Sequence, residues 1–259
     1  KPIDVSGLTF GTNGFYLDFE DSSALGNDAN GGTDLTATNL AATDQSTDTC
    51  TNNFATMNPL DNFYAAHPFS EGNLNVTLST STTSFSTSTF GVSTGKWYWE
   101  SKCEVARPRS VGITDRVSTA ADNYPGQTAN NYSMNGINGN VYSADAQVTY
   151  TGASYTAGDI IGILLNLDDN ELKFSKNGTI LNSGTAISIT APASTLNGVY
   201  FAMVGDESTD TAGRWSLNFG SPSFAISSGN ADGNGYGNFE YAVPSGFFSL
   251  CTKNLAENG

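Results

Sequence analysis

The sequence predicts an all-β fold, a two-sheet antiparallel β-sandwich. Three observations point there. Short runs of alternating apolar and polar residues recur along the chain, the period of a strand with one buried face. Clusters of Gly, Asn, Asp and Ser, the residues that make turns, separate these runs. No apolar pattern of helical period extends beyond a turn or two. Strands joined by turns without intervening helices stack as two sheets or close into a barrel. Unequal strands and long loops favour the sandwich.

The 259 residues are read as a single domain, 1–259. A chain of this length buries about 70–75% of its unfolded surface, enough for a core without metal or disulfide. The 15 Phe and 11 Tyr supply bulky side chains for it.

The first strand expected is Phe15-Tyr16-Leu17-Asp18-Phe19-Glu20, with Phe15, Leu17 and Phe19 on one face. A polar loop over 21–34 follows, then a short polar strand near 35–40. Residues 41–72 show no period. Phe54, Met57, Leu60, Phe63, Tyr64 and Phe69 are scattered through them, as in irregular chain draped over a sandwich. Leu74, Val76 and Leu78 restart the alternation. Residues 79–94 are nearly all Ser and Thr, interrupted by Phe85, Phe90 and Val92. A mucin-like linker is one reading. The aromatics favour a solvent-facing β-hairpin, since Thr suits an exposed strand face.

The central block is denser. Lys96-Trp97-Tyr98-Trp99-Glu100 opens a strand reaching Val105, with Trp97 and Trp99 together on a core face. A strand over 110–114, a loop through 122–132 and a short strand near 140–143 follow. Residues 160–167 are apolar on both faces apart from Gly162 and Asn166, as in a strand covered on both sides. Asp168-Asp169-Asn170 turns the chain into 172–176. Asn177-Gly178 then makes a two-residue type I′ turn, leading into Thr179-Ile180-Leu181. Strands over 199–204, 214–219 and 247–250 complete the pattern. A Gly- and Asn-rich loop lies at 227–238, and a polar tail ends the chain.

Charge excludes several partners. Against 25 acidic groups stand 10 basic ones, a net charge of −15. Nucleic acid and anionic membrane surfaces both require clustered Lys and Arg. No apolar run approaches the ~20 residues that span a bilayer. The acidity serves solubility or presents a face to a cationic partner. Lys1-Pro2-Ile3-Asp4 lacks a signal-peptide core and reads as the start of a processed piece. Cys50, Cys103 and Cys251 form no CxxC pair, so buried free thiols are expected, with a Cys50–Cys251 pairing open.

Catalytic chemistry finds little footing. Retaining glycosidases need carboxylates about 5–5.5 Å apart. Glu100 and Glu104 share a strand face but lie roughly 13 Å apart along it, with Lys102 between. The single histidine, His67, sits in Ala66-His67-Pro68-Phe69 in the irregular segment, and the sequence has no nucleophile elbow, so a packing or surface role is expected. Gly233-Asn234-Gly235-Tyr236-Gly237 does not follow a strand-to-helix design, so no phosphate loop is expected. Asp21, Asp28, Asn30 and Asp34 share one loop of a kind that suits calcium. The same residues also make ordinary turns, the favoured reading. No other cofactor is expected.

Five pieces of the central block occur in a telling order: Gly95-Lys96-Trp97-Tyr98-Trp99-Glu100, Val111-Gly112-Ile113, Gly158-Asp159-Ile160-Ile161-Gly162, Leu165-Asn166-Leu167-Asp168 and Leu172-Lys173-Phe174-Ser175-Lys176-Asn177-Gly178. Together they resemble the SPRY domain, a bent concanavalin-like jelly-roll sandwich. The resemblance covers 91–220, with 1–90 and 221–259 extending and wrapping that core.

The ends carry a narrower resemblance. It rests on Asn13-Gly14-Phe15-Tyr16-Leu17, on Thr51-Asn52-Asn53-Phe54-Ala55-Thr56-Met57-Asn58-Pro59-Leu60 and on the Gly233–Gly246 stretch around Tyr236 and Tyr241. These look like SPRY-bearing structural proteins of marine bacteriophages, found in tail fibres and other virion surface proteins. Cys50 stands where such relatives often carry Pro. The resemblance implies a non-enzymatic module on the virion surface, touching a host-surface glycan or protein, or another virion protein. A homo-oligomer is compatible with it. Family logic places contacts on loops at one edge: Asp122, Asn123, Tyr124 and Tyr132, with Asp206, Glu207 and Asp210 nearby. Tyr rings stack on a ligand while Asn and Asp orient it. Ordinary solvated loops are the alternative.

Overall fold

The computed structural model describes residues 5, 7–45, 48–49, 51–61, 66–78, 83–105, 110–117, 124–206 and 213–259. Two compact units emerge, Lys1–Asn52 and Asn53–Gly259.

The first unit is held by turns. The strand expected over 15–20 does not form. Phe15 and Phe19 are 52% and 49% exposed, and Phe19 adopts φ 58, which breaks an extended path. The backbone bonds locally instead: Tyr16 N–H donates to Asp28 Oδ1 at 2.9 Å, and Ala29 N–H to the Tyr16 carbonyl at 2.9 Å. The short strand expected near 35–40 is also absent, leaving one bond from Leu35 N–H to the Gly26 carbonyl at 2.8 Å. The Gln45 side-chain amide closes the unit by donating to the Phe19 and Glu20 carbonyls at 2.7 and 2.8 Å.

The second unit carries the strands β1 (Phe69–Ser70), β2 (Asn75–Thr77), β3 (Ser84–Val92), β4 (Lys96–Cys103), β5 (Ser110–Thr114), β6 (Tyr132–Asn135), β7 (Val141–Ser143), β8 (Ala146–Val148), β9 (Ile160–Asn166), β10 (Glu171–Lys176), β11 (Thr179–Ile180), β12 (Ile187–Ser188), β13 (Tyr200–Asp206), β14 (Arg214–Asn218) and β15 (Phe248–Ser249). One sheet runs β1-β2-β14-β4-β9-β10-β11, with β12 on β10 and β15 on β4. The other runs β3-β13-β5-β6-β7-β8. The architecture is the expected antiparallel sandwich; β15 alone among these strands pairs in parallel, beside Trp97 and Tyr98.

Alternation explains the core between the sheets. Trp97 and Trp99 on β4 and Trp215 on β14 are at most 1% exposed and face Val111 and Ile113 from the other sheet. Truncating such an aromatic costs about 3–5 kcal/mol. Every residue of β9 is buried, as its two-sided apolar pattern requires. The outward side is covered by the C-terminal segment, where Tyr98 and Leu164 form a second cluster with Phe239, Val243 and Phe247. Asn177 and Gly178 adopt φ 47 and 79, the expected type I′ hairpin turn.

The Ser/Thr-rich stretch differs from expectation. Its described part is the single strand β3, and Ser84, Ser86, Thr87 and Ser88 on it are at most 1% exposed. Small hydroxyl side chains suit this site because irregular chain is bonded closely over it. Asn58 N–H donates to the Thr87 carbonyl at 2.8 Å, and the Thr87 hydroxyl donates to the Asp61 carboxylate. The expected draped segment is therefore ordered around 53–61: Ala55 N–H donates to the Leu250 carbonyl and Thr252 N–H to the Asn53 carbonyl, both at 2.9 Å. Phe63 and Tyr64 lie outside the described residues.

The polar tail forms helix α1 (Thr252–Asn258). No helix among the described residues is long and apolar enough to cross a membrane. Cys103 and Cys251 are buried free thiols, so Cys251 is not half of a disulfide. Burial pushes the Cys103 thiol above its ordinary value. Cys50 lies outside the described residues.

Candidate functional site

Strand register sets up the site. Met203, Gly112, Ser133 and Tyr142 lie side by side across β13, β5, β6 and β7. Their chain neighbours Val111, Met134, Val141 and Val204 are in the core, so this row points outward. Pro125 and Gly126 lie against this part of the sheet. A Cβ on Gly126 would lie 2.8 Å from Tyr142 Cβ, and φ there is 90. Only glycine meets both demands. A Cβ on Gly205 would likewise meet Pro125 Cγ at 2.4 Å.

Hydrogen bonds fix the loop that carries them. Gly126 N–H donates to Asn131 Oδ1 at 2.9 Å. Ala144 N–H donates to the Thr128 carbonyl at 3.1 Å, and Asp145 N–H to the Gly126 carbonyl at 3.0 Å. At its base the buried Asp115 accepts from Arg116 Nε, Asn130 Nδ2 and Leu196 N–H, each at 3.0 Å. Between loop and sheet opens a pocket of about 470 Å³ lined by Tyr124, Pro125, Gly126, Tyr142 and Asp145. That volume falls in the range of small-ligand sites.

Two side chains are held in place across the pocket. The Tyr124 hydroxyl donates to the Asp145 carboxylate. The Tyr142 hydroxyl accepts from Asn138 Nδ2 at 3.2 Å and Asn140 Nδ2 at 3.5 Å. Asp145 sits in the two-residue turn between β7 and β8, where Ala144 and Asp145 take φ 54 and 58. Asn-Gly or Gly-Gly normally occupies such a turn. A non-glycine residue held there costs about 1–2 kcal/mol. The strain accompanies a side chain aimed at the pocket.

Of the residues expected to bind that the structure describes, Tyr124 lines this pocket and Tyr132 and Asp206 do not. Asp122, Asn123, Glu207 and Asp210 lie outside the described residues. Tyr132 is on β6, 9% exposed in the core, its ring 6.4 Å from that of Tyr200 and its hydroxyl accepting from Thr190 N–H at 3.2 Å. Even alternation on a strand turns it inward, opposite to Ser133. Asp206 ends β13 and is fully buried, not in a surface loop. Tyr142 and Asp145 were missed because Ala144-Asp145 carries no Gly or Asn to signal a tight turn.

The acidic loop of the first unit uses its oxygens on its own backbone. Asp28 Oδ1 accepts from Tyr16 N–H and from Asn30 N–H at 3.1 Å, and Asp34 Oδ1 accepts from Asp28 N–H at 3.0 Å. Asp21 Oδ1 accepts from Ser23 N–H and Oγ at 2.8 and 2.6 Å. The Tyr16 N–H holds the Asp28 carboxyl below its ordinary value, and Ser23 does the same for Asp21. Among the described residues no three His, Cys, Asp or Glu side chains gather to hold a metal ion.

Other buried polar groups hold the chain together. Glu100 on β4 accepts from Tyr98 Oη and Tyr241 N–H on one oxygen, and from Asn218 Nδ2 and Glu240 N–H on the other. Burial nonetheless pushes its carboxyl above the ordinary value. Asp232 takes Asn234 and Tyr236 N–H on one oxygen, and Ser249 N–H, Ser249 Oγ and Asn254 Nδ2 on the other. The Gly-rich 233–237 stretch is thus a turn wrapped on a carboxylate. His67 lies buried with Nδ1 2.7 Å from Ser86 Oγ and Nε2 2.8 Å from Ser84 Oγ.

The family model of the SPRY domain matches residues 96–210. Among solved structures, the SPRY domain of human HERC1 aligns at a TM-score of 0.50 and 17% identity, over 62% of this chain and 96% of that one. No curated protein sequence matches the chain. The likeness is one of fold, and the matched segment runs from β4 to beyond β13, containing the whole pocket.

Proposed function

We propose that this chain is a non-catalytic recognition module of a phage virion surface or tail-fibre protein, binding a host-surface glycan or protein. The observation that carries the reading is the pocket of Tyr124, Tyr142 and Asp145 on the outward face of a rigid sheet. Binding sites are commonly loops supported by such scaffolds. The SPRY match supports an interaction role, since domains of this family are in general interaction modules. The motifs at the chain ends, similar to marine phage structural proteins, support the virion setting.

The buried acids support binding without catalysis. Glu100, Asp115 and Asp232 spend their oxygens on protein donors, and His67 is sealed between two serines. General acid–base work needs a group within reach of substrate. The test is to offer labelled protein to host cells, isolated envelope polysaccharide and purified virion subunits. Binding to cells or envelope fits the reading. Binding only to another virion subunit favours a structural or decoration module, and binding to none sinks both.

A further inference from the structure

Charge is divided unevenly between the two sheets. Lys96, Lys102, Lys173, Lys176 and Arg214 all lie on strands of the first sheet, whereas no strand of the pocket's sheet carries a lysine or arginine. The sequence holds no basic residue at all between Arg116 and Lys173, a stretch that includes every residue lining the pocket. The one charged group in that lining is Asp145, which is exposed. Its Oδ1 accepts from the Tyr124 hydroxyl. Among the described residues its Oδ2 accepts no hydrogen bond, and no lysine or arginine pairs with it. Tyr124 and Tyr142 are half-buried, so part of each side chain stays open to the pocket.

Resting on the pocket assignment above, we infer that the group bound there is a lysine or arginine side chain of a protein partner. An exposed carboxylate beside two tyrosine rings is the complement of a cation. Its oxygen takes charged N–H donors, and the ring faces attract positive charge. Arginine satisfies both at once, because its planar guanidinium stacks on a ring while it donates to a carboxylate. A phosphate, sulfate or carboxylate would face Asp145 with no basic side chain in the lining to offset the repulsion. A neutral sugar would use the rings but draw nothing from a sheet whose strands lack positive charge. That one-signed field steers a basic protein surface towards the pocket. Lysine and arginine are the standing cations of protein surfaces, and domains of the matched family are in general interaction modules. Asp145 is also held in advance, by the Tyr124 hydroxyl and by its own N–H on the Gly126 carbonyl, so less freedom is lost on binding.

The experiment is binding of the full chain to an immobilised peptide library with randomised residues around a fixed central arginine or lysine. Matched libraries carry citrulline or Nε-acetyllysine at that position, and a panel of neutral oligosaccharides stands beside them. Wild type is expected to retain arginine or lysine peptides and to release them as salt rises towards about 0.5 M. Asp145→Asn weakens retention about tenfold or more, since the donor loses a charged acceptor. Asparagine tolerates the left-handed backbone of this turn, so the fold is kept. Tyr142→Ala weakens retention about fivefold. Melting curves of both variants report folding, and Asp145→Asn carries the test should Tyr142→Ala unfold. Equal retention of the citrulline and acetyllysine libraries, retention of oligosaccharides alone, or retention of nothing overturns the inference. If neutral peptides or sugars are held and Tyr142→Ala releases them, the pocket stands and only the cation falls. Basic peptides held equally by wild type and both variants are bound by the chain's overall charge, and the pocket assignment then falls with the inference.

Discussion

Glu100 Oε1 accepts the backbone N–H of Tyr241 at 2.8 Å, joining residues 141 positions apart. The partner oxygen takes Glu240 N–H at 3.0 Å. One buried side chain on β4 thus clamps the C-terminal segment over the sheet's outer face, where Phe239 meets Tyr98 edge to face at a centroid distance of 5.3 Å. The pocket lies on the other sheet and is independent of this clamp.

Glutamine cannot replace that clamp. Each Glu100 oxygen faces one backbone N–H, so a Gln amide in either orientation turns its NH₂ toward a donor. An unsatisfied buried donor costs about 1–3 kcal/mol. Glu100→Gln is expected to lower stability by that amount in denaturant titration. Faster amide hydrogen exchange at 239–241 should accompany it, while exchange at 124–145 stays unchanged.

His67 makes stability sensitive to acid. Burial lowers its imidazole from 6.5 to about 4, so the folded chain holds it neutral where the unfolded chain takes up a proton. Stability therefore falls as pH drops from 6.5 towards 4, by about 3 kcal/mol in full. Glu100 acts in the opposite sense. Its raised carboxyl contributes stability that is present in acid and lost as pH rises through its folded value. Denaturant titrations at pH 7 and pH 4.5 should show a shallower acid loss in His67→Gln than in wild type. Equal losses in the two proteins would remove His67 as the cause.

The turn at Ala144 should be easy to improve. Glycine adopts φ 54 without the Cβ penalty, so Ala144→Gly is expected to stabilise the protein by about 1 kcal/mol. A rise in melting temperature checks this. A fall would mean that the alanine methyl makes a contact outweighing the strain.

Some of this was legible in the sequence for reasons that particular residues make plain. Trp97 and Trp99 alternate with polar neighbours, residues 160–167 are apolar throughout, and Asn177-Gly178 demands a two-residue turn. Each signal is local, and each is met in the structure. Phe15, Leu17 and Phe19 alternate just as cleanly, but alternation names a face and not a partner strand. Residues 84–88 look solvent-facing because Ser and Thr usually are, yet chain from elsewhere covers them. Tyr132 falls on the core side through register with Ile113, which no single-residue property reveals. The pocket escaped for the same reason: it depends on Tyr142 lying opposite Ser133 and on a strained turn without turn residues. Nothing local marks Glu100 as a buried clamp, since its partners at 240 and 241 lie 140 positions further along the chain.

The most direct test of the recognition site is amide hydrogen exchange of the full chain, with and without host envelope fragments. The account predicts slower exchange at 124–126 and 141–146 in the presence of the fragments, with 239–241 unaffected. Protection confined to the outer face around 239–247, or to the first unit, with none around Tyr124 and Asp145, would contradict it.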